Sequence, residues 1–470
     1  MTGKRLGRRE FLRLMAGAAA GGALAACTPQ VVKETVIVEK PVKETVVVEK
    51  PVEKVVKETV VVEATRAPSK EKVTLTWAWW GSIAHVKGAM AKVRPFLERY
   101  PHAEVAPMYM ASDEYDTKIM TMFAGGSAPD VIMVKAQFAP DWYHRGLAVQ
   151  LDPLLEADPN ADRTDWLESL LPYATVDGKL YGLPYSAGPM IWQYNTELAA
   201  ASGVPTPLEY YERGEWTYDT VIDWSIANTR AEDNIYAWDA WYNEDLWMPL
   251  AWSNGGEFFN DDETECLVDS GPWVDAIQYV VDLRYKYEVL PPPGGSKEMG
   301  LNFRAGNIAA MGSYPQQPYW RAISMGGYQA VQPCYVAAGS LGPKCLFKSD
   351  SHCTSTQTQD VELSYELTKA LCGPEGERIN QEVMGYIFPA TRQNFEDPEY
   401  KAMAFWDQDI QFISNEEHGH LVPITRKIPW AEMKAIWRQY TDEAWVQKIS
   451  PAECCASIAA DINTLLKESA

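Results

Sequence analysis

The sequence predicts an α/β protein whose body divides into two lobes. Strand and helix patterns alternate from Val73 to Val134, the body from Glu71 to Ala470 is 400 residues long, and 46% hydrophobic with 23% charged residues is a globular composition. Single cores stop growing at roughly 250–300 residues, so a body of this size splits.

The first stretch, Val73 to Trp79, alternates and reads as a strand that ends at Trp80, Gly81 and Ser82. A helical pattern follows from about Val86 to Arg99 and closes at Tyr100 and Pro101. Glu104 to Tyr109 is a second short strand. Asp113 to Phe123 is helical, with Tyr115, Ile119 and Met122 on one face, and stops at Ala124, Gly125 and Gly126. Pro129 to Val134 reads as a buried strand. Such alternation makes a mostly parallel sheet, which collects ligands at the carboxyl ends of its strands. Trp79, Trp80 and the run Lys135, Ala136, Gln137 stand at those ends.

Ahead of the body lie an address and a tether. Arg8 and Arg9 precede a small apolar stretch from Leu14 to Ala26, the layout of a twin-arginine export signal. Thirteen Ala- and Gly-rich residues are too few for a membrane span, which needs about 20. Leu24, Ala25, Ala26 and Cys27 resemble a lipoprotein lipobox, which implies cleavage before Cys27 and acylation of that residue. Residues 32–41 read VKETVIVEKP and residues 42–51 VKETVVVEKP, with an altered third copy over 52–63. The ten-residue period suits neither hand of coiled coil, and proline with valine triplets disfavours helix. Residues 31–65 read as a stalk, about 35 Å long as a relaxed coil and at most about 120 Å extended, with a β-rich oligomerisation segment as the alternative. The expected location is extracytoplasmic, lipid-anchored to the membrane.

The formal charge is −22; removing a signal with Lys4, Arg5, Arg8, Arg9 and Arg13 against Glu10, a net +4, leaves −26. So acidic a chain lacks the concentrated Lys and Arg that phosphate backbones require, and no nucleic-acid partner is expected. Eighteen tryptophans are more than a core ordinarily needs, and neutral sugars stack on indoles. The competing reading places most of them in the core. Seven cysteines besides Cys27 leave at least one thiol unpaired within the chain, with Cys345–Cys353 and Cys334–Cys372 as alternative bridges. No C-x-x-C pair and no cofactor motif occurs, so neither cofactor nor metal is expected; His418 and His420 after Glu416 and Glu417 read as a solvated loop.

Several motifs in order resemble those of the extracellular solute-binding proteins of the family 1 type, the maltose-binding-like receptors of ABC importers. Ala124 to Ile132 resembles A-x-G-x-x-P-D-V-I; Arg145 to Pro153 resembles x-G-x-L-x-x-L-D; Asp177 to Tyr185 is close to D-G-K-x-Y-G-x-P. Trp192 to Asn195, Asn254 to Gly256, Phe303 to Met311 and Phe388 to Arg392 complete the order. The resemblance implies a two-lobed periplasmic-binding-protein-like fold of type II with a hinge, a monomer, and partnership with permease subunits. The implied lobes are 71–190 with 347–393 and 191–346 with 394–470, crossing near Pro189 to Asn195. It also implies closure over a small-molecule solute, expected to be a carbohydrate, and no catalysis.

The candidate ligand contacts follow from position. Of Trp79 and Trp80, adjacent on a strand, one faces the core, and the pattern does not say which. Gln137 sits in the loop beyond Val134, and Tyr185 follows the Gly-Leu-Pro turn. Trp241, Trp252 and Asn254 lie in an aromatic-rich stretch of the second lobe. Tyr314 and Trp320 follow Ala310 and Met311, in a segment that departs from the usual simple turn. Asp350 is a candidate acceptor for hydroxyls or, equally, a turn-forming residue. Other readings keep the fold with a polyamine, a peptide or ferric iron, the last drawing on Tyr210 and Tyr211, which fit packing better. A secreted carbohydrate-active enzyme needs a carboxylate pair that 64 acidic residues do not exclude, yet no nucleophile elbow or HExxH occurs.

Overall fold

The computed structural model describes residues 72–81, 83–186, 188–239, 241, 244–313, 330–385, 388–404, 409–421, 423–425 and 427–469. The expected signal, Cys27 and the expected stalk lie outside the described residues, as do Tyr314 and Trp320. Among the described residues no helix is long and apolar enough to cross a membrane.

The chain enters through β1 (Val73–Trp80), α1 (Ile83–Arg99), β2 (Ala103–Met110), α2 (Ser112–Ala124) and β3 (Val131–Val134). It continues through β4 (Leu183–Pro184), β5 (Gly188–Pro189), β6 (Ile191–Asn195) and the helix α3 (Glu244–Trp252). Then come β7 (Ala310–Ser313), β8 (Val331–Cys334), β9 (Cys345–Lys348) and β10 (Ser351–Thr354), followed by α4 (Val361–Cys372), α5 (Pro374–Met384) and β11 (Gly419–Leu421). The expected strand–helix–strand–helix–strand order of residues 73–134 is present, each end within three residues of its expected place.

The first sheet runs β2-β1-β3-β10-β4. β1 pairs in parallel with β2 from Val73↔Ala103 to Trp80↔Met110 and with β3 at Trp77↔Val131. β10 runs antiparallel to both β3 and β4. Period-two alternation turns Leu75, Trp77 and Trp79 to one buried face. Asp130 pins the sheet from the turn before β3: its carboxylate accepts from the Thr76 amide (2.7 Å), the Thr76 hydroxyl (2.7 Å) and Thr358 (2.7 Å). That is a physical reason for an aspartate at this point of the motif.

A second sheet is β8-β6-β7, antiparallel throughout, and Asn195 at the end of β6 caps the next helix by accepting from Glu197 and Leu198 amides at 2.9 and 3.1 Å. The third, β11-β9-β5, carries the passage between the other two. The chain leaves the first sheet after β4, runs through β5 and enters the second at β6. It returns through β9 to β10, with Met190 N donating to Leu346 O at 2.7 Å between the two passages.

Nine of the eighteen tryptophans are less than 2% exposed, which settles the composition argument for them in favour of the core. All seven cysteines are buried free thiols. Neither expected bridge is formed, because the partners belong to different layers. Cys345 lies in the third sheet, with Sγ 3.2 Å from Ser414 O, and Cys353 in the first. Cys334 lies in the second sheet, and Cys372 ends α4 with Sγ 3.5 Å from His352 Nδ1.

Candidate functional site

Four loops meet at one end of the first sheet: those after β1, β3 and β4, and the turn joining β9 to β10. β1, β3 and β4 all run toward this end, so it is the carboxyl end where the topology collects a ligand. Asp350 in the β9–β10 turn ties the four together. Its Oδ2 accepts from Trp80 Nε1 at 3.1 Å and its Oδ1 from the Ala136 amide at 3.0 Å. Its own carbonyl accepts from the Tyr185 amide at 3.2 Å, and Ser349 Oγ donates to Ser186 O at 2.9 Å. Burial pushes the Asp350 carboxyl above its ordinary value, opposed by the Ala136 amide, the Trp80 indole and the charges of Lys135 and Lys348.

Two ion pairs border this node. Lys135 donates to Ser112 O at 2.7 Å and to Asp116 at 2.6 Å, with its ammonium 5.9 Å from the Trp80 ring centre. Lys348, at the end of β9, donates to Asp245 on α3 at 3.2 Å. Asp245 and Lys348 are mostly enclosed, and the pair joins the return passage to the part of the chain that holds the second sheet.

The aromatic members are divided by burial. Trp79 is the core member of its pair: it is 5% exposed and stacks on Trp77 with centroids 4.2 Å apart. Trp80 is half-buried at the site. Tyr185 is half-buried, edge-on to His352 at 5.0 Å, and burial drives its phenol pKa upward, so it is a neutral donor at physiological pH. Gln137 is half-buried in the short helical turn Ala136–Phe138 that follows β3.

Trp80, Gln137, Tyr185 and Asp350 are thus brought together. The candidates from the aromatic-rich stretch 238–256 are placed otherwise. Trp241 is fully enclosed among Trp192, Trp238 and Tyr279, a packing position. Trp252 is 2% exposed and stacks on His420 at 4.2 Å. Asn254 uses both ends of its amide inside the protein: Nδ2 donates to Leu250 O at 2.9 Å and Oδ1 accepts from Ser340 N at 3.0 Å. Tyr211 stacks on Tyr335 at 3.6 Å and Tyr210 on Trp216 at 6.0 Å, so both pack. Among the described residues no group of three His, Cys, Asp or Glu side chains is arranged to hold a metal.

Sequence reasoning missed Lys348 and Asp245, which no motif marks. The available signal was Lys348's place two residues before Asp350, at the strand end that leads into the turn.

The family model of the bacterial extracellular solute-binding proteins matches residues 91–405. The chain is similar to the arabinooligosaccharide-binding protein of Halalkalibacterium halodurans, 23% identical over 223 residues, 46% of this chain and 46% of that protein. The protein of the same description from Bacillus subtilis is 22% identical over 244 residues, 49% of this chain and 52% of that one. The chain spans about half the length of these curated relatives. Among solved structures, an ABC substrate-binding protein from Listeria monocytogenes in complex with cycloalternan superposes with a TM-score of 0.74 at 19% identity, over 84% of this chain and 99% of that one. The GacH receptor of Streptomyces glaucescens, solved unliganded and with acarbose, gives 0.71 at 18% identity, over 84% and 99%. These likenesses show the fold, a two-lobed α/β binding-protein architecture.

Proposed function

The chain belongs to the bacterial extracellular solute-binding proteins, and from that premise we propose that it is the receptor of an ABC importer for a neutral oligosaccharide. The observation that carries the ligand class is the node at Asp350. One carboxylate, one indole and one phenol converge at the carboxyl ends of three strands, while Asp116 and Asp245 beside them are matched by Lys135 and Lys348. Hydroxyls find an acceptor in Asp350, a donor in Tyr185 and apolar C–H faces find the Trp80 ring. A polyamine would want unmatched carboxylates, but Asp116 and Asp245 each already hold a lysine. The relatives that bind arabino-oligosaccharides, cycloalternan and acarbose supply the saccharide class.

In this reading the lobes are 71–190 with 347–393 and 191–346 with 394–470, and they close by rotation in the β5–β6 and β9–β10 passages. Ligand stabilises the closed state through contacts made only there, and the permease engages that state. The twin-arginine signal exports the folded monomer, Cys27 carries the lipid, and residues 31–65 space the lobes from the membrane.

A thermal-shift screen tests the ligand class, because a ligand that binds only the native state raises the melting temperature. Linear arabino- and malto-oligosaccharides are expected to raise it. A rise with spermidine or a tripeptide and none with any saccharide would replace the ligand class, and release of reducing ends would indicate an enzyme.

A further inference from the structure

Beneath the Tyr185 ring lies a lysine that the site does not otherwise explain. Lys92 is 4% exposed and sits in the buried stripe of α1 with Gly88, Ala89, Val93 and Phe96. That stripe packs on α5 so closely that a Cβ on Gly88 would lie 2.9 Å from Asn380 Oδ1 and from Met384. Among the described residues the ammonium has no ion pair within 4 Å and no hydrogen bond. It stands instead 4.8 Å from the ring centre of Tyr185 and 6.0 Å from that of Trp77. His352 completes the enclosure, 5.7 Å from Trp77 and edge-on to Tyr185.

We propose that Lys92 is a positioning residue for ligand binding: its buried ammonium holds the Tyr185 ring in the orientation that meets the solute. The proposal rests on the reading above in which Tyr185 lines the cleft. A desolvated ammonium attracts the electron-rich face of a ring more strongly than an exposed one does. Among the described residues no carboxylate lies within ion-pair distance of it, and the two rings are its nearest partners of complementary charge distribution.

The groups that face Lys92 are Glu377 from α5, Cys372 from the end of α4, His352 from β10 and Tyr185 itself. Burial pulls the Lys92 ammonium down to about 8, opposed by Cys372 and Glu377. His352 is held neutral, well below its ordinary value, by burial and by the lysine charge. Glu377 is engaged elsewhere, accepting from the Ala390 amide at 2.7 Å, from the Thr391 amide and from Asn394 Nδ2 at 3.0 Å. Lys92 therefore loses its proton, and the ring its anchor, as pH rises through about 8.

The test uses the full chain and whichever of arabinotriose and maltotriose gives the larger thermal shift. Wild type is expected to bind with constant affinity up to about pH 7 and more weakly by pH 9.5. Lys92→Met is expected to weaken Kd about fivefold to thirtyfold at pH 7 and to flatten the profile. Lys92→Arg, which stays charged, is expected to restore affinity and keep it at pH 9.5. In parallel, ring-¹³C-tyrosine NMR of the ligand-free protein reads the contact without any sugar. The Tyr185 signal, assigned by its loss in Tyr185→Phe, is expected to titrate near pH 8 in wild type and in neither Lys92 variant. Wild-type affinity and pH profile in Lys92→Met, or a Tyr185 signal that does not titrate in wild type, would overturn the proposal. A Tyr185 signal that titrates in a protein that binds neither sugar would keep the Lys92–Tyr185 contact and overturn the saccharide reading together with the ligand role.

Discussion

The indole Nε1 of Trp80 donates to the Asp350 carboxylate across 3.1 Å although 270 residues separate them. This bond joins the end of the first strand to the turn by which the chain returns to the first sheet, and it aims both groups at the same space. Removing either partner is expected to change the site more than the fold. Trp80→Phe keeps a stacking ring but leaves Asp350 one donor short, with a stability loss of about 1 kcal/mol and a several-fold weaker Kd. Asp350→Ala also orphans the Ala136 amide and is expected to abolish measurable saccharide binding by calorimetry.

Trp241 is expected to behave in the opposite way. Enclosed by Trp192, Trp238 and Tyr279, it contributes packing. Trp241→Ala is expected to lower stability by about 3–5 kcal/mol in urea unfolding. Trp241→Phe, which fills more of the space, is expected to leave Kd within about twofold of wild type. A large affinity loss in a fully stable Trp241→Phe would return this residue to the site.

Glu377 gives stability a defined pH dependence. Burial raises its carboxyl to about 7, against the opposing bonds from Thr391, Asn394 and Ala390. The unfolded chain releases this proton near pH 4.5 and the folded chain only near 7, so the folded state binds more protons between those values. Its contribution is therefore fullest below about pH 4.5 and declines as pH rises through 7, by on the order of 3 kcal/mol. Urea midpoints at pH 5 and pH 8 are expected to differ by less in Glu377→Gln than in wild type. Lys92 acts in a separate window with the opposite sign: its depressed pKa makes stability rise between about 8 and 10.5.

Gly182 is fixed by a close approach. A Cβ there would lie 2.4 Å from the Tyr143 hydroxyl and 2.8 Å from Ser351 Oγ, two groups bonded to each other at 2.6 Å. Gly182→Ala is expected to cost about 1–3 kcal/mol and to weaken binding, because Ser351 follows Asp350 directly. Thermal melts and calorimetry on the same preparation check both effects.

Local pattern made the first half of the first sheet legible: the alternation of β1 and the amphipathic face of α2 were set by residues close in sequence. Gln137 follows a strand, Tyr185 a Gly-Leu-Pro turn, and Asp350 lies in a loop; the structure places all three at one end of the first sheet with Trp80. The neighbour that completes each is far away in the chain, so no local signal linked Trp80 to Asp350. The tryptophans misled, since composition cannot separate an indole that stacks on a sugar from one that fills a core. Trp241 sits in an aromatic-rich stretch because that stretch is packed. Lys92 carried a signal that went unread, a lysine interrupting the apolar spacing of Ala89, Val93 and Phe96 on one helix face.

Calorimetric titration of the full chain with arabinotriose and maltotriose, for wild type and Asp350→Ala, tests the central claim most directly. Saturable one-to-one binding of at least one saccharide to wild type, lost in a folded Asp350→Ala, is the expected result. Undiminished binding in that variant, or heat from spermidine and from neither saccharide, would contradict it.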